Sequence, residues 1–125
     1  MNVFLWVVAG LLAVVFLFAG LTKLIKPKEQ LKDQMAWVED FTPGVIKMIA
    51  ALEVLAAIGL VVPPLVGVAP VLAPIAALGL VLIMLGAMLT HVRRKELPMV
   101  VINLVLLALA AIVVWGRLGP EQFSA

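Results

Sequence analysis

Residues 54–90 read VLAAIGLVVPPLVGVAPVLAPIAALGLVLIMLGAMLT, 37 consecutive positions without a charged side chain. As a single helix this stretch would be ~55 Å long, nearly twice the ~30 Å hydrocarbon core of a bilayer. It must therefore turn back on itself, and Pro63-Pro64 with Gly67 mark the turn. An uncharged hairpin of two membrane spans is the unit from which the rest of the chain is read. The segment from Pro63 to Pro74, with four prolines and no charge, is its connection.

Working outward, Pro43-Gly44 opens the upstream arm, because proline is tolerated in the first helical turn. The spans then fall at about 44–62 and 68–90. Leu97-Pro98 opens another, at about 98–116, ending near Trp115-Gly116. Residues 3–21 are apolar or glycine throughout, and they place the first span at about 3–25. A cleaved secretory leader is the rival reading of this first segment. It fails because no basic residue precedes the apolar run, whereas Lys23, Lys26 and Lys28 follow it.

The expected fold is therefore all-α: one transmembrane domain over residues 1–125, built as an integral membrane four-helix bundle. The composition agrees. The chain is 66% apolar over 125 residues, against ~45–50% in ordinary soluble domains. That excludes a soluble enzyme, a disordered tail and a nucleic-acid module. Cysteine is absent and histidine occurs once, which excludes disulfides, thiolate chemistry, iron–sulfur ligation and bis-His haem. No intrinsic cofactor or metal site is expected.

Basic residues set the orientation. Lys23, Lys26, Lys28, Lys32, Lys47, Arg93, Arg94 and Lys95 flank the first and third connections, and only Arg117 lies at the other end. By the positive-inside rule both termini are extracytoplasmic, and connections 26–43 and 91–97 are cytoplasmic. In the first connection Leu31, Met35, Val38 and Phe41 recur at helical spacing among polar residues. This predicts a short amphipathic interfacial helix, with Trp37 near the headgroups.

Small residues mark where membrane helices approach one another. Ala9, Ala13, Phe16, Gly20 and Lys23 form one such stripe in the first span. Ala76, Gly79, Ile83, Gly86 and Thr90 form another in the third. Both are expected to face the bundle interior, as are Ala50, Ala56 and Ala57 around Glu53.

Four polar residues then need explaining. Glu53 lies nine residues past Gly44, ~13 Å along the helix, where a charge costs roughly 2.5–3.5 kcal/mol. Lys23 extends the small stripe of the first span, Asn103 lies ~7 Å beyond Pro98, and His91 closes the third span. The opposite half of the membrane carries no comparable group between Asn2 and Arg117. One reading is a ligand-binding pocket formed by Glu53, Lys23, Asn103 and His91, open toward the cytoplasmic leaflet. It would seat a quinone or lipid head group, or a proton on Glu53. The other is structural. Glu53, Lys23 and Asn103 would pair to fix helix register, Lys23 could instead snorkel to the interface, and His91 would be interfacial. Arg93, Arg94 and Lys95 read as topology signals and lipid contacts.

Phe16-x-x-Ala19-Gly20-x-x-Lys23-Leu24, Lys47 followed by Glu53 and Gly59-Leu60, Pro74-x-Ala76-Ala77-x-Gly79, Met84-x-Gly86-Ala87-x-x-Thr90-His91-x-Arg93-Arg94-x-Glu96, and Asn103-Leu104 occur in this order. Together they resemble the DoxX-like family of small membrane proteins over nearly the whole chain. One departure is Ala51, where relatives often carry glycine. The resemblance implies a four-helix integral membrane protein. It also implies kinship with subunits of membrane oxidoreductase assemblies, such as quinone-linked thiosulfate oxidation or an assembly with superoxide dismutase and a rhodanese-like sulfurtransferase.

Three functions compete. The first is a non-catalytic membrane subunit or scaffold of a redox or envelope complex, with protein partners and a bound quinone or lipid near Glu53. The second is a proton-coupled transporter, which needs a homo-oligomer to enclose a path and shows no internal inverted repeat. The third is an enzyme on a lipophilic substrate with Glu53 and His91 as acid and base. The estimated depths of those two residues differ by ~10 Å or more, beyond hydrogen-bond reach.

Overall fold

Inside a bilayer no water pairs with exposed backbone groups, so apolar spanning segments fold as helices that satisfy them internally. The computed structural model, which describes residues 2–31, 37 and 41–119, contains four such helices and one short one. They are α1 (Asn2–Ile25), α2 (Lys28–Leu31), α3 (Pro43–Val66), α4 (Leu72–Arg93) and α5 (Leu97–Leu118). α1, α3, α4 and α5 are each long and apolar enough to cross a membrane. At 24 residues, α1 and α3 are ~36 Å long.

The packed pairs are α1 with α3, α3 with α4, α4 with α5, and α5 with α1. The four long helices thus close a ring in which α1 faces α4, and α3 faces α5, across a diagonal. The midsection of the ring is filled by buried Leu12, Phe16, Leu60, Leu80, Ala110 and Val113. Large apolar side chains such as Val3, Phe18, Ile25 and Leu89 point outward, where lipid is as good a neighbour as protein.

Each end of α3 has its own stop signal. Thr42 caps the start, its hydroxyl oxygen accepting from the Val45 amide at 3.3 Å, and Pro43 follows in the first turn. The far end departs from the sequence reading. Pro63 and Pro64 do not form the turn; α3 continues through both to Val66. The break comes at Gly67, in the left-handed region at φ 75°, where the Pro63 carbonyl accepts from the Gly67 and Val68 amides. A proline lacks a donor but keeps its carbonyl, so two prolines in a last turn do not prevent the turn from closing. α4 accordingly starts at Leu72 rather than near residue 68, with Pro74 in its first turn.

α4 meets its expected inward face in part: Ala76 and Ile83 pack against the core, Ala76 stands against Gly59 of α3, and Ile83, Gly86 and Thr90 line a cavity inside the bundle. Its buried residues are Ala73, Pro74, Ala77, Leu80, Met84 and His91, one position round from the small-residue stripe. Gly86 is exposed, and the Cβ positions of Gly79 and Gly86 would meet nothing within 4 Å. In α1 the stripe faces inward as expected, with Ala9, Phe16, Gly20 and Lys23 buried. Of the amphipathic helix expected in the first connection, the single turn Lys28–Leu31 is present. Leu31 and Ile46 are buried together with Trp37 and Phe41 against them; Met35 and Val38 lie outside the described residues.

Candidate functional site

The approach of α1 to α3 organises one end of the bundle. A Cβ on Gly20 would stand 2.7 Å from Val54 Cγ2 and 2.8 Å from the Ala50 carbonyl oxygen. Only a glycine lets the two backbones come this close. The helices run antiparallel, and Cβ atoms tilt toward each helix's own N-terminus. Lys23 therefore leans into the bundle while Glu53 leans toward the end where α1 finishes, and the two converge.

The ion pair that results has Lys23 Nζ 2.7 Å from Glu53 Oε1, with the side chains 8% and 3% exposed. Lys23 does not snorkel to the surface. Its ammonium also lies 5.6 Å from the centre of the Trp37 ring, within cation–π range. Lys47, one turn before Ala50, closes the end of α1. Its ammonium donates to the Lys23, Leu24 and Lys26 carbonyls, groups a helix C-terminus leaves unpaired.

His91 is buried within the protein near the end of α4. Its Nδ1 lies 2.7 Å from Glu96 Oε1, and the Glu96 amide donates to the His91 carbonyl at 2.8 Å. Glu96 sits between α4 and α5. The hydrogen bond from His91 holds its carboxyl below the ordinary carboxylate value, against a partial desolvation and with help from Arg94 Nε at 3.4 Å. The Trp37 ring stands edge-on to His91 at 6.4 Å and to Phe41 at 5.5 Å. It thus bridges Lys23 on α1 and His91 on α4.

Asn103 enters from α5. It is 5% exposed, and its Nδ2 has no hydrogen-bond partner among the described residues. The helix-to-helix bond that would make it a register device is missing on that side.

Lys23, Glu53, His91 and Asn103, one from each long helix, all line a single cavity of about 440 Å³. Its remaining wall is mainly apolar: Phe16, Ile49, Met84, Ile102 and Leu106 contribute, and Gly86 and Ala87 leave room where larger residues would fill it. Thr90 also lines it, but its hydroxyl donates to the Gly86 carbonyl at 3.0 Å. The result is a polar floor of no net charge, once Lys23 and Glu53 cancel, under apolar walls. Such a shape takes an apolar molecule with a polar end.

At the opposite end Arg117 Nη1 donates to Asn2 Oδ1 at 2.7 Å, and its guanidinium lies 5.8 Å from the Trp6 ring centre. This contact ties the start of α1 to the end of α5, far from the cavity. Sequence reasoning missed three supports of the cavity. Trp37 was assigned to the headgroups. Glu96 enters the sequence reading only as the end of a family motif, although a carboxylate five residues after the only histidine, past a helix end, is a readable signal. Lys47 enters it as a topology charge and a motif residue, without a structural role.

No curated protein and no solved structure matches the chain. The profile of the DoxX-like family does, over residues 7–113. The matched region includes all four polar residues of the cavity floor. Four apolar spanning helices and this match make the chain a small multi-pass membrane protein that belongs to the DoxX-like family.

Proposed function

We propose that the cavity seats the polar head of a lipophilic ligand, a quinone or a lipid. The protein would serve as a small membrane subunit or scaffold of a redox or envelope complex. In this reading the cavity end is cytoplasmic and both termini are extracytoplasmic, following the eight basic residues to one on the two sides. The observation that carries the proposal is the cavity itself: about 440 Å³, apolar-walled, with Lys23, Glu53, His91 and Asn103 at its floor. A volume of this order suits a small ligand or the head of a larger one. The proton-carrier alternative is less well supported, because Glu53 is engaged by Lys23 at 2.7 Å.

Trp37 lines the cavity, whereas Trp6 and Trp115 do not. In a Trp6→Phe, Trp115→Phe background Trp37 is the sole tryptophan, since the chain has three. Its fluorescence in detergent micelles is expected to be quenched saturably by a decyl-substituted benzoquinone. Gly86→Leu, at a cavity-lining position with open space for a side chain, should weaken that binding at least about tenfold, the equivalent of ~1.4 kcal/mol. Quenching that rises linearly with probe and ignores Gly86→Leu would contradict the proposal.

A further inference from the structure

Among the polar side chains of the cavity floor, Asn103 stands apart. Lys23 and Glu53 satisfy each other, His91 Nδ1 is held by Glu96, and the Thr90 hydroxyl bonds its own helix. Among the described residues that line the cavity, Asn103 Nδ2 is the buried donor without an acceptor. Removing a donor from water without pairing it is unfavourable, so such a group in a native structure calls for an explanation. Asn103 lines the cavity, and its amide nitrogen is itself covered, so a rotation of the amide about its last torsion is what turns the donor toward an acceptor in that space.

We infer that Asn103 is the specificity residue of the cavity, and that its ligand is an uncharged lipophile presenting an oxygen acceptor to Asn103 Nδ2. This deepens the proposed function and rests on the cavity being a lipophile site. Charge decides the class. At 2.7 Å, Lys23 and Glu53 neutralise each other. An anionic head would have to displace Glu53 from Lys23 and then lie beside a free carboxylate, and a cationic head would meet the converse problem with Lys23. A neutral oxygen needs neither displacement. α5, which carries Asn103, faces α3, which carries Glu53, across the diagonal of the ring. The head group therefore lies between the ion pair and the amide. A quinone carbonyl and the ester carbonyl of a neutral glycerolipid share this chemistry.

The test is the thermal stability of the purified protein in detergent, since a ligand that binds only the folded state raises Tm by mass action. Four probes are compared at equal mole fraction: decyl-benzoquinone, dioleoylglycerol, decyl phosphate and decylbenzene. At least one of the two neutral oxygen-bearing probes is expected to raise Tm, and the stronger of them identifies the source of the acceptor. Asn103→Leu and Asn103→Ala each remove the donor and should weaken that probe about three- to tenfold, as expected for one neutral hydrogen bond. Ligand-free Asn103→Leu should melt no lower than the parent, because it deletes an unpaired polar group; a residue acting only as helix glue would lower Tm instead. The inference is overturned if decyl phosphate stabilises as well as the neutral oxygen-bearing probes, or if the shift survives both substitutions. It is also overturned if decylbenzene matches them, which would leave an unselective lipophile cavity standing. Stabilisation by no probe would overturn the cavity reading and this inference together.

Discussion

Lys23→Met is expected to destabilise the protein by about 3–5 kcal/mol, the usual cost of removing one partner of a buried ion pair. The reason is the position of Glu53. It lies within a membrane-spanning helix at 3% exposure, and among the described residues Lys23 supplies its one hydrogen bond. Methionine matches the lysine stem in size, so packing along α1 changes little and the lost charge dominates. Pairs of this kind are often replaced without penalty when both partners become apolar together. The double variant Lys23→Met, Glu53→Met should therefore recover most of the stability lost by Lys23→Met. Unfolding in a detergent titration measures both variants, and a double-mutant cycle extracts the coupling. A single variant within about 1 kcal/mol of the parent, against that ~3–5 kcal/mol, would show that the pair does not hold α1 to α3.

Gly20→Leu is expected to have a comparable effect by a different route. The new Cβ would fall 2.8 Å from the Ala50 carbonyl oxygen and 2.7 Å from Val54 Cγ2. Val54 can change rotamer, but the Ala50 carbonyl is helix backbone and moves only if α3 moves. Overpacking costs about 1–3 kcal/mol when side chains can adjust, and a clash with backbone belongs at or above the top of that range. Pushing α1 from α3 also separates Lys23, one turn further along, from Glu53. The penalty should therefore shrink in the background lacking both charges, a non-additivity expected of coupled sites. Gly10→Ala is the control: its Cβ would meet nothing within 4 Å, and replacing a helical glycine by alanine is favourable by up to ~1 kcal/mol. Equal losses at Gly10 and Gly20 would sink the close-approach argument.

The sequence carried the spans well because each is a long uncharged run with prolines or charges at its borders. It carried the inward face of α1 because Gly20 and Lys23 share that face. It placed the inward face of α4 one position from the most deeply buried stripe, for a physical reason. In lipid both faces of a helix can be apolar, so hydropathy does not distinguish Leu80 and Met84, which are buried, from Leu82 and Leu85, which are exposed. Small residues suggest contact positions, and Ala76 does stand against Gly59, yet Gly79 and Gly86 have open space over their Cβ positions. Gly86 lines the cavity, so smallness there marks room rather than contact. The Pro63-Pro64 pair misled in a similar way. A proline signals a missing donor, and near a helix end that defect is tolerated until Gly67 supplies the left-handed stop.

The candidate site was legible as a set of residue types and not as an arrangement. Glu53, Lys23, Asn103 and His91 stood out because polar groups are expensive in a bilayer. That Lys23 faces Glu53 across 30 positions of sequence, while Asn103 Nδ2 has no partner, depends on how helices of a ring rotate against one another. Nothing in the pattern of a single span encodes that rotation. Trp37 shows the same limit: it bridges Lys23 and His91 from a connection whose polar pattern pointed to the membrane surface.

The most direct measurement of the central claim is native mass spectrometry of the protein gently extracted from its own membranes, beside the Gly86→Leu variant. The parent is expected to carry one added mass of a neutral, oxygen-bearing lipophile per chain, and Gly86→Leu to lack it while remaining folded. A bare parent chain, or an added mass that Gly86→Leu retains, would contradict a ligand seated among Lys23, Glu53, His91 and Asn103.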